Sequence, residues 1–298
     1  MRRMTIPGFT LQRIPLPSGV TLRVATGGEG PAVVLLHGHP RTHATWHRVA
    51  PALAGAGLRV ICPDLRGYGQ STAPEPSDDL HTHSDRTMAE DIALLMTHLG
   101  HDHFSIVGHD RGSYVAYRTA LDLPERVDRL AVLDCVPILE ALERADAHFA
   151  EKWWHWFFFA SPHAERVICA DPLAWYKPDA QKMGQENYQD MVTAISDPQT
   201  VGSMTADYRA SLHVDRAADA HDRERGHQIQ CPTLVAWAKH DDMEDLYGNP
   251  AEVWASWCAH RPVSAVIDSG HHMAEDNPKQ LATVLTAFLL PSGPLRHD

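Results

Sequence analysis

Phe104-Ser105-Ile106-Val107-Gly108-His109-Asp110-Arg111-Gly112-Ser113 is the stretch on which the fold turns. A short apolar run ends at Gly108, and Ser113 to Leu121 reads as a helix. Gly-x-nucleophile-x-Gly between a strand and a helix describes a sharp, strained turn that lifts the central side chain clear of a sheet. Glycine is needed on both sides because strand and helix pass too close for a side chain. The central residue is the carboxylate Asp110. An attacking carboxylate leaves an alkyl ester on the protein, which water must then hydrolyse. That chemistry suits displacement of halide from carbon or opening of an epoxide, and suits peptide cleavage poorly. The bland alternative is a surface turn carrying a solvated Asp-Arg pair, and the rest of the chain opposes it.

Working outward, the periodic segments alternate in type. Phe9 to Leu16 and Val20 to Ala25 flank Pro17-Ser18-Gly19 and read as a hairpin. Ala32 to Leu36 is a buried-strand pattern, followed by a helical segment over Thr45 to Leu53 and a strand over Leu58 to Cys62. Thr87 to Leu99 carries apolar residues at helical spacing. Leu130 to Leu133, Thr233 to Trp237 and Val263 to Ile267 read as strands, and Pro278 to Leu289 as a closing helix. Strands alternating with helices predict an α/β fold, a mostly parallel sheet flanked by helices on both faces. From about Val136 to Gln228 only helical patterns occur, rich in Trp, Tyr and His. The expected organisation is a core of residues 1–136 and 229–298 with an inserted helical cap, 137–228, over the sheet edge where sites in such folds lie.

The chain of 298 residues has 26 basic and 38 acidic side chains, a balance that argues against nucleic acid and anionic membrane surfaces as partners. Five cysteines without paired spacing predict buried thiols rather than a disulfide framework. Arg2 and Arg3 have no apolar core behind them, so no signal peptide is expected. The aromatic run Trp153 to Phe159 is too short to span a bilayer. Together these features predict a soluble, cytoplasmic protein acting on a small molecule.

A nucleophilic Asp110 needs a general base. Ser269-Gly270-His271-His272-Met273 follows the last strand, and His271 is the predicted base, with His272 as rival. The acid orienting it should end a strand, as Asp134 does; Asp241, Asp242 and Asp245 are the rivals. His37-Gly38-His39-Pro40 resembles a hydrolase oxyanion loop, which would aim the backbone N–H of His39, with that of Arg111, at developing negative charge. The His37, His39, His43, His47 series suggests a metal site only weakly, because no Cys or carboxylate interleaves. No metal or organic cofactor is expected.

With these elements in place, the chain resembles the haloacetate (fluoroacetate) dehalogenase branch of the α/β-hydrolases, related to epoxide hydrolases and haloalkane dehalogenases. The resemblance extends over nearly the whole length. It rests on His37-Gly38-x-Pro40 with Thr42-His43 and Trp46-His47, Pro63-Asp64-Leu65-Arg66-Gly67-Tyr68-Gly69-x-Ser71, the Asp110 turn, Leu133-Asp134, Trp154-His155-Trp156-Phe157, Asp207-Tyr208-Arg209-Ala210 and Ser269-Gly270-His271. It implies an α/β-hydrolase fold, Asp110 as nucleophile, His271 as base and Asp134 as its partner. It also implies that Arg111 binds a substrate carboxylate and that His155, Trp156 and Tyr208 surround a leaving halide. Members of that family are often homodimers, and no segment here identifies an interface.

One position departs from the pattern. Fluoroacetate dehalogenases usually carry a second arginine three residues after the first, and here Tyr114 stands there. Arg41 or Arg118 is the candidate replacement. The sequence therefore predicts a hydrolytic dehalogenase converting a short 2-haloacid to the 2-hydroxyacid through an aspartyl ester. The alternative is an epoxide hydrolase using the same Asp110, with Tyr208 and either Tyr176 or Tyr188 donating to the epoxide oxygen. A non-catalytic receptor on the same scaffold is the third reading, and an intact Asp110, His271 and Asp134 argue against it.

Overall fold

Eight strands form one sheet in a computed structural model that describes residues 6–290. In chain order they are β1 (Thr10–Pro15), β2 (Thr21–Gly27), β3 (Ala32–Leu36), β4 (Arg59–Pro63), β5 (Phe104–His109), β6 (Val127–Leu133), β7 (Thr233–Ala238) and β8 (Val263–Ile267). Their spatial order is β1-β2-β4-β3-β5-β6-β7-β8. The β1–β2 hairpin and the β2–β4 pair are antiparallel, and every later pairing is parallel. A parallel strand buried on both faces reads as an unbroken apolar run, because alternate side chains enter different cores. β3 shows this directly: Val34 and Leu36 join one apolar cluster, Val33 and Leu35 the other.

The helices follow local rules. Asp85–His98 begins earlier than the apolar spacing predicted, because the Ser84 hydroxyl accepts the Thr87 N–H and caps it. The single helix expected over Thr45 to Leu53 is a 3₁₀ turn, His43–Arg48, followed by a separate helix, Ala50–Gly55. Pro51 starts the second piece, where its missing N–H costs nothing. Arg111–Asp122 leaves the Asp110 turn and Pro278–Leu289 closes the chain.

Between β6 and β7 the chain forms helices only, from Ile138–Glu143 to Arg216–Glu224. Buried ion pairs fasten this segment to the sheet domain: Arg23 to Asp190, Arg111 to Asp207, and Arg118 to both Asp219 and Asp222. None of the five cysteines is bonded to another. Cys62, Cys135 and Cys258 are buried as expected, whereas Cys169 lies exposed in the helical segment and Cys231 is partly buried. No described helix is long and apolar enough to cross a membrane. Arg2 and Arg3 lie outside the described residues.

Candidate active site

Asp110 sits at φ 52°, ψ −121°, a conformation that side-chain-bearing residues rarely adopt. The turn is fixed by its surroundings. The Asp110 N–H donates to the Leu133 carbonyl at 3.1 Å, and the Ser113 hydroxyl donates back to the Gly108 carbonyl at 2.7 Å. A Cβ on Gly108 would collide with the Gly112 carbonyl, and one on Gly112 with the carbonyls of Leu36 and His37. The two glycines thus serve the close approach that the sequence pattern predicts.

The turn after β3 delivers the next group. The backbone N–H of His39 donates to Asp110 Oδ1 at 2.6 Å. That engages one carboxylate oxygen and leaves Oδ2 free, facing His271 Nε2 at 3.7 Å. This gap is too long for a direct hydrogen bond.

Behind His271 stand two acids rather than one. Its Nδ1 lies 2.7 Å from Asp134 Oδ2 and 3.0 Å from Asp241 Oδ2. Asp134 follows β6 at φ 57° and accepts the Ala238 N–H on its other oxygen at 2.8 Å. Of the remaining rivals, Asp242 accepts the Trp153 indole N–H at 2.9 Å, and Asp245 pairs with Lys152 at the surface. His272 lines the same cavity, but the His271 ring is the one that meets the acids.

The electrostatics follow from this packing. Burial disfavours the Asp110 anion, yet the adjacent His271 imidazole and the backbone N–H of Arg111 outweigh it and hold the carboxyl well below its usual range. Burial also opposes a charged His271, but Asp110, Asp134 and Asp241 together raise its pKa well above 6.5. His155 is partly buried, and desolvation pushes its pKa down to about 4, so it is neutral. Burial raises the Tyr208 hydroxyl well above its usual value, so it keeps its proton.

Asp110, Asp134, His155, Trp156, Tyr208, Asp241 and His271 all line one cavity of about 520 Å³. The walls are largely aromatic, with Tyr114, Trp153, Phe159, Trp175 and Tyr176 contributing. Tyr176, a sequence candidate, reaches it, and its buried hydroxyl has no hydrogen-bond partner. Tyr188 is not among the lining residues.

The arginines do not behave as the sequence suggested. Arg111 is 1 % exposed and is absent from the cavity lining. Its guanidinium grips the Asp207 carboxylate through Nε and Nη2, with Asp85 4.0 Å away. The rings of Tyr208 and Tyr114 cover it, their centres 4.7 and 4.8 Å from Cζ. Arg41 forks onto Glu275 at 2.8 and 3.0 Å, and Arg118 is held by Asp219 and Asp222. All three are engaged by acids distant in sequence, which spacing along one chain cannot reveal. The acid that captures Arg111 immediately precedes Tyr208 in a motif the sequence showed, and that adjacency was the available signal.

The early histidines are also occupied. His37 Nε2 accepts the Leu65 N–H, His43 pairs with Asp64 at 2.7 Å, and His47 Nδ1 lies 2.9 Å from the Ala44 carbonyl. Sequence reasoning assigned His39 only a backbone role. Its ring is packed among Tyr68, Phe159, Tyr176 and Tyr208 and lines the cavity, with both nitrogens unpartnered.

A strained carboxylate turn, an N–H aimed at one of its oxygens and a histidine backed by acid define a hydrolase site on an α/β sheet. The chain belongs to the α/β-hydrolase fold family, whose model matches residues 31–278. It is 37% identical over 280 residues to a fluoroacetate dehalogenase from Burkholderia sp., covering 91% of this chain and 90% of that one. It is 30% identical to the soluble epoxide hydrolase of Corynebacterium sp. (strain C12), covering 92% and 95%. A solved Pseudomonas aeruginosa structure described as a candidate epoxide hydrolase superposes with a TM-score of 0.87 at 36% identity, over 96% of this chain and 97% of that one.

Proposed function

We propose that this hydrolase opens an uncharged epoxide through an aspartyl-ester intermediate, with His155 and Tyr208 as donors to the epoxide oxygen. One observation carries the choice over a haloacid. Among the described residues no arginine and no buried lysine lines the cavity, while four carboxylates do: Asp110, Asp134, Asp241 and Asp242. Recognition of a substrate carboxylate calls for charge-assisted, preferably bidentate donors. Here Arg111 already serves Asp207, and the lining cations Lys152 and Lys177 are exposed residues. A volume near 520 Å³ with aromatic walls fits an aryl or extended alkyl group far better than a two-carbon acid.

The steps follow from the geometry. Asp110 Oδ2 attacks an epoxide carbon, the carbon–oxygen bond breaks, and the forming alkoxide takes a proton from Tyr208 while His155 donates a hydrogen bond to it. Forming the ester removes the Asp110 negative charge 3.7 Å from His271, which lowers the imidazole pKa. His271 then gives up its proton, which returns to the Tyr208 phenolate, and is free to accept one from water. The resulting hydroxide equivalent attacks Asp110 Cγ, and negative charge develops on Oδ1, where the His39 N–H already points. Collapse releases the diol and restores the carboxylate.

Dehalogenation of a 2-haloacid is the second reading. The 37% identity to a fluoroacetate dehalogenase and the unpartnered Nη1 of buried Arg111 favour it. The two separate in a side-by-side assay of diol from styrene oxide and free halide from fluoro- and chloroacetate. The epoxide reading expects diol formation to exceed halide release by at least about 100-fold in kcat/KM, the scale of one or two lost charge-assisted bonds. Halide release without epoxide turnover would overturn it.

A further inference from the structure

We infer that Asp241 is a second positioning acid for His271, acting in parallel with Asp134, so that either carboxylate alone keeps the imidazole in the tautomer that ester hydrolysis requires. An orienting acid fixes the proton on Nδ1, leaves the Nε2 lone pair for water and stabilises the imidazolium that forms. Such a triad normally needs one acid. Here Asp134, after β6, and Asp241, after β7, approach the same Nδ1 at 2.7 and 3.0 Å. The single Nδ1–H is therefore offered two acceptors at hydrogen-bond distance.

The two acids have different anchors in the fold, and their side chains also interact with each other. Asp134 is held by its left-handed backbone and by the Ala238 N–H. Asp241 adjoins Asp242, which the Trp153 indole of the helical segment holds at 2.9 Å. Their environments differ as well. Asp134 has no side-chain exposure, and burial pushes its pKa up to about 6. Asp241 is 27% exposed, and despite partial burial the His271 ring holds it well below the usual range. Asp241 is thus the more solvent-exposed partner, while Asp134 is the fully buried one. The other titratable groups facing His271 are Asp110, Asp242, His155, and the rings of His109 and His272 at 4.8 and 5.1 Å.

The inference rests on the aspartyl-ester reading for its kinetic arm only. Asp134→Asn, Asp241→Asn and the double variant are compared in single turnover of styrene oxide, with ester formation and decay followed by mass spectrometry. Asn at 134 retains an oxygen for the Ala238 N–H, and melting temperatures check that each variant folds. Each single substitution should slow ester decay by no more than about tenfold. The double variant should lose about 10⁴-fold, as expected when the orienting group of a triad histidine is gone. Removing one anion should also shift the acid limb of ester decay to lower pH in each single variant. Nitrogen NMR of the His271 ring reads the tautomer with no substrate present, and Nδ1–H should persist in each single variant and be lost in the double. If Asp241→Asn changes neither rate, limb nor tautomer, alone or beside Asp134→Asn, Asp241 is a bystander and the inference fails. It also fails if Asp134→Asn alone loses the full 10⁴-fold. Absence of ester in every variant, His271→Ala included, would instead break the reaction assignment while the NMR arm still decides Asp241.

Discussion

The sheet domain and the helical segment contribute to the cavity in different ways. Asp110, Asp134, Asp241, His271 and the His39 N–H all come from turns at strand ends, held by a continuous backbone ladder. His155, Trp156, Tyr176 and Tyr208 come from helices held by side chains: edge-to-face aromatic contacts, and acids from the segment gripping arginines of the sheet domain. The lesson is that the proposed nucleophile and base sit on the part whose geometry is fixed by backbone hydrogen bonds. The proposed recognition and leaving-group contacts sit on the part whose geometry depends on which side chains find each other. Arg111 shows the consequence, since it belongs to the turn but its charge is spent holding the segment.

The largest expected effect strikes the turn-borne half. Asp110→Ala should abolish turnover and His271→Ala should reduce it at least about 10⁴-fold, the scale seen when a triad histidine loses its function. The two should differ in kind, because His271→Ala alone accumulates an ester on the Asp110 peptide, detectable by mass. Equal behaviour with no adduct would remove the two-step division of labour.

Next comes the junction between the halves. Arg111→Met leaves Asp207 buried without its partner, a defect that typically costs 3–5 kcal/mol. Denaturant melts should show that loss, and Arg111→Met/Asp207→Asn should recover part of it. Selectivity between chloroacetate and chloroacetamide should not change. A collapse of acid preference at intact stability would instead place Arg111 in substrate binding.

A smaller effect belongs to the helical segment. Tyr208→Phe keeps the ring that covers Arg111 and deletes one donor, so kcat for epoxide should fall about 10²–10³-fold, as for an oxyanion donor. His155→Phe should act on the same step, leaving ester decay unchanged. Loss confined to ester decay would move these residues out of leaving-group stabilisation.

The smallest effect is a pH shift. The three carboxylates raise the pKa of His271 in the free protein above 6.5, so its ring should titrate above that value by NMR. Charge stabilisation of this kind contributes fully below the unfolded pKa and is lost as pH rises through the folded one. Esterified Asp110 no longer contributes, so ester decay should show its acid limb at lower pH than the free-protein titration. Coincident values would mean that Asp110 and His271 do not sense each other.

By itself the sequence determined the sheet and the turn bearing Asp110, because these depend on local periodicity and on glycines required by close approach. It placed His271 after the last strand and the His39 N–H in its turn for the same reason, chain order along a parallel sheet. It also singled out His155, Trp156 and Tyr208, whose side chains the fold brings to the wall of one cavity. Only the tertiary structure decided the fate of the charges. Arg111 meets Asp207 across 96 residues, Arg41 meets Glu275 across 234, and His271 meets Asp134 across 137 and Asp241 across 30. Ion pairing falls off with distance in space and is indifferent to distance along the chain, so which guanidinium stays free for a substrate is a property of the folded molecule alone.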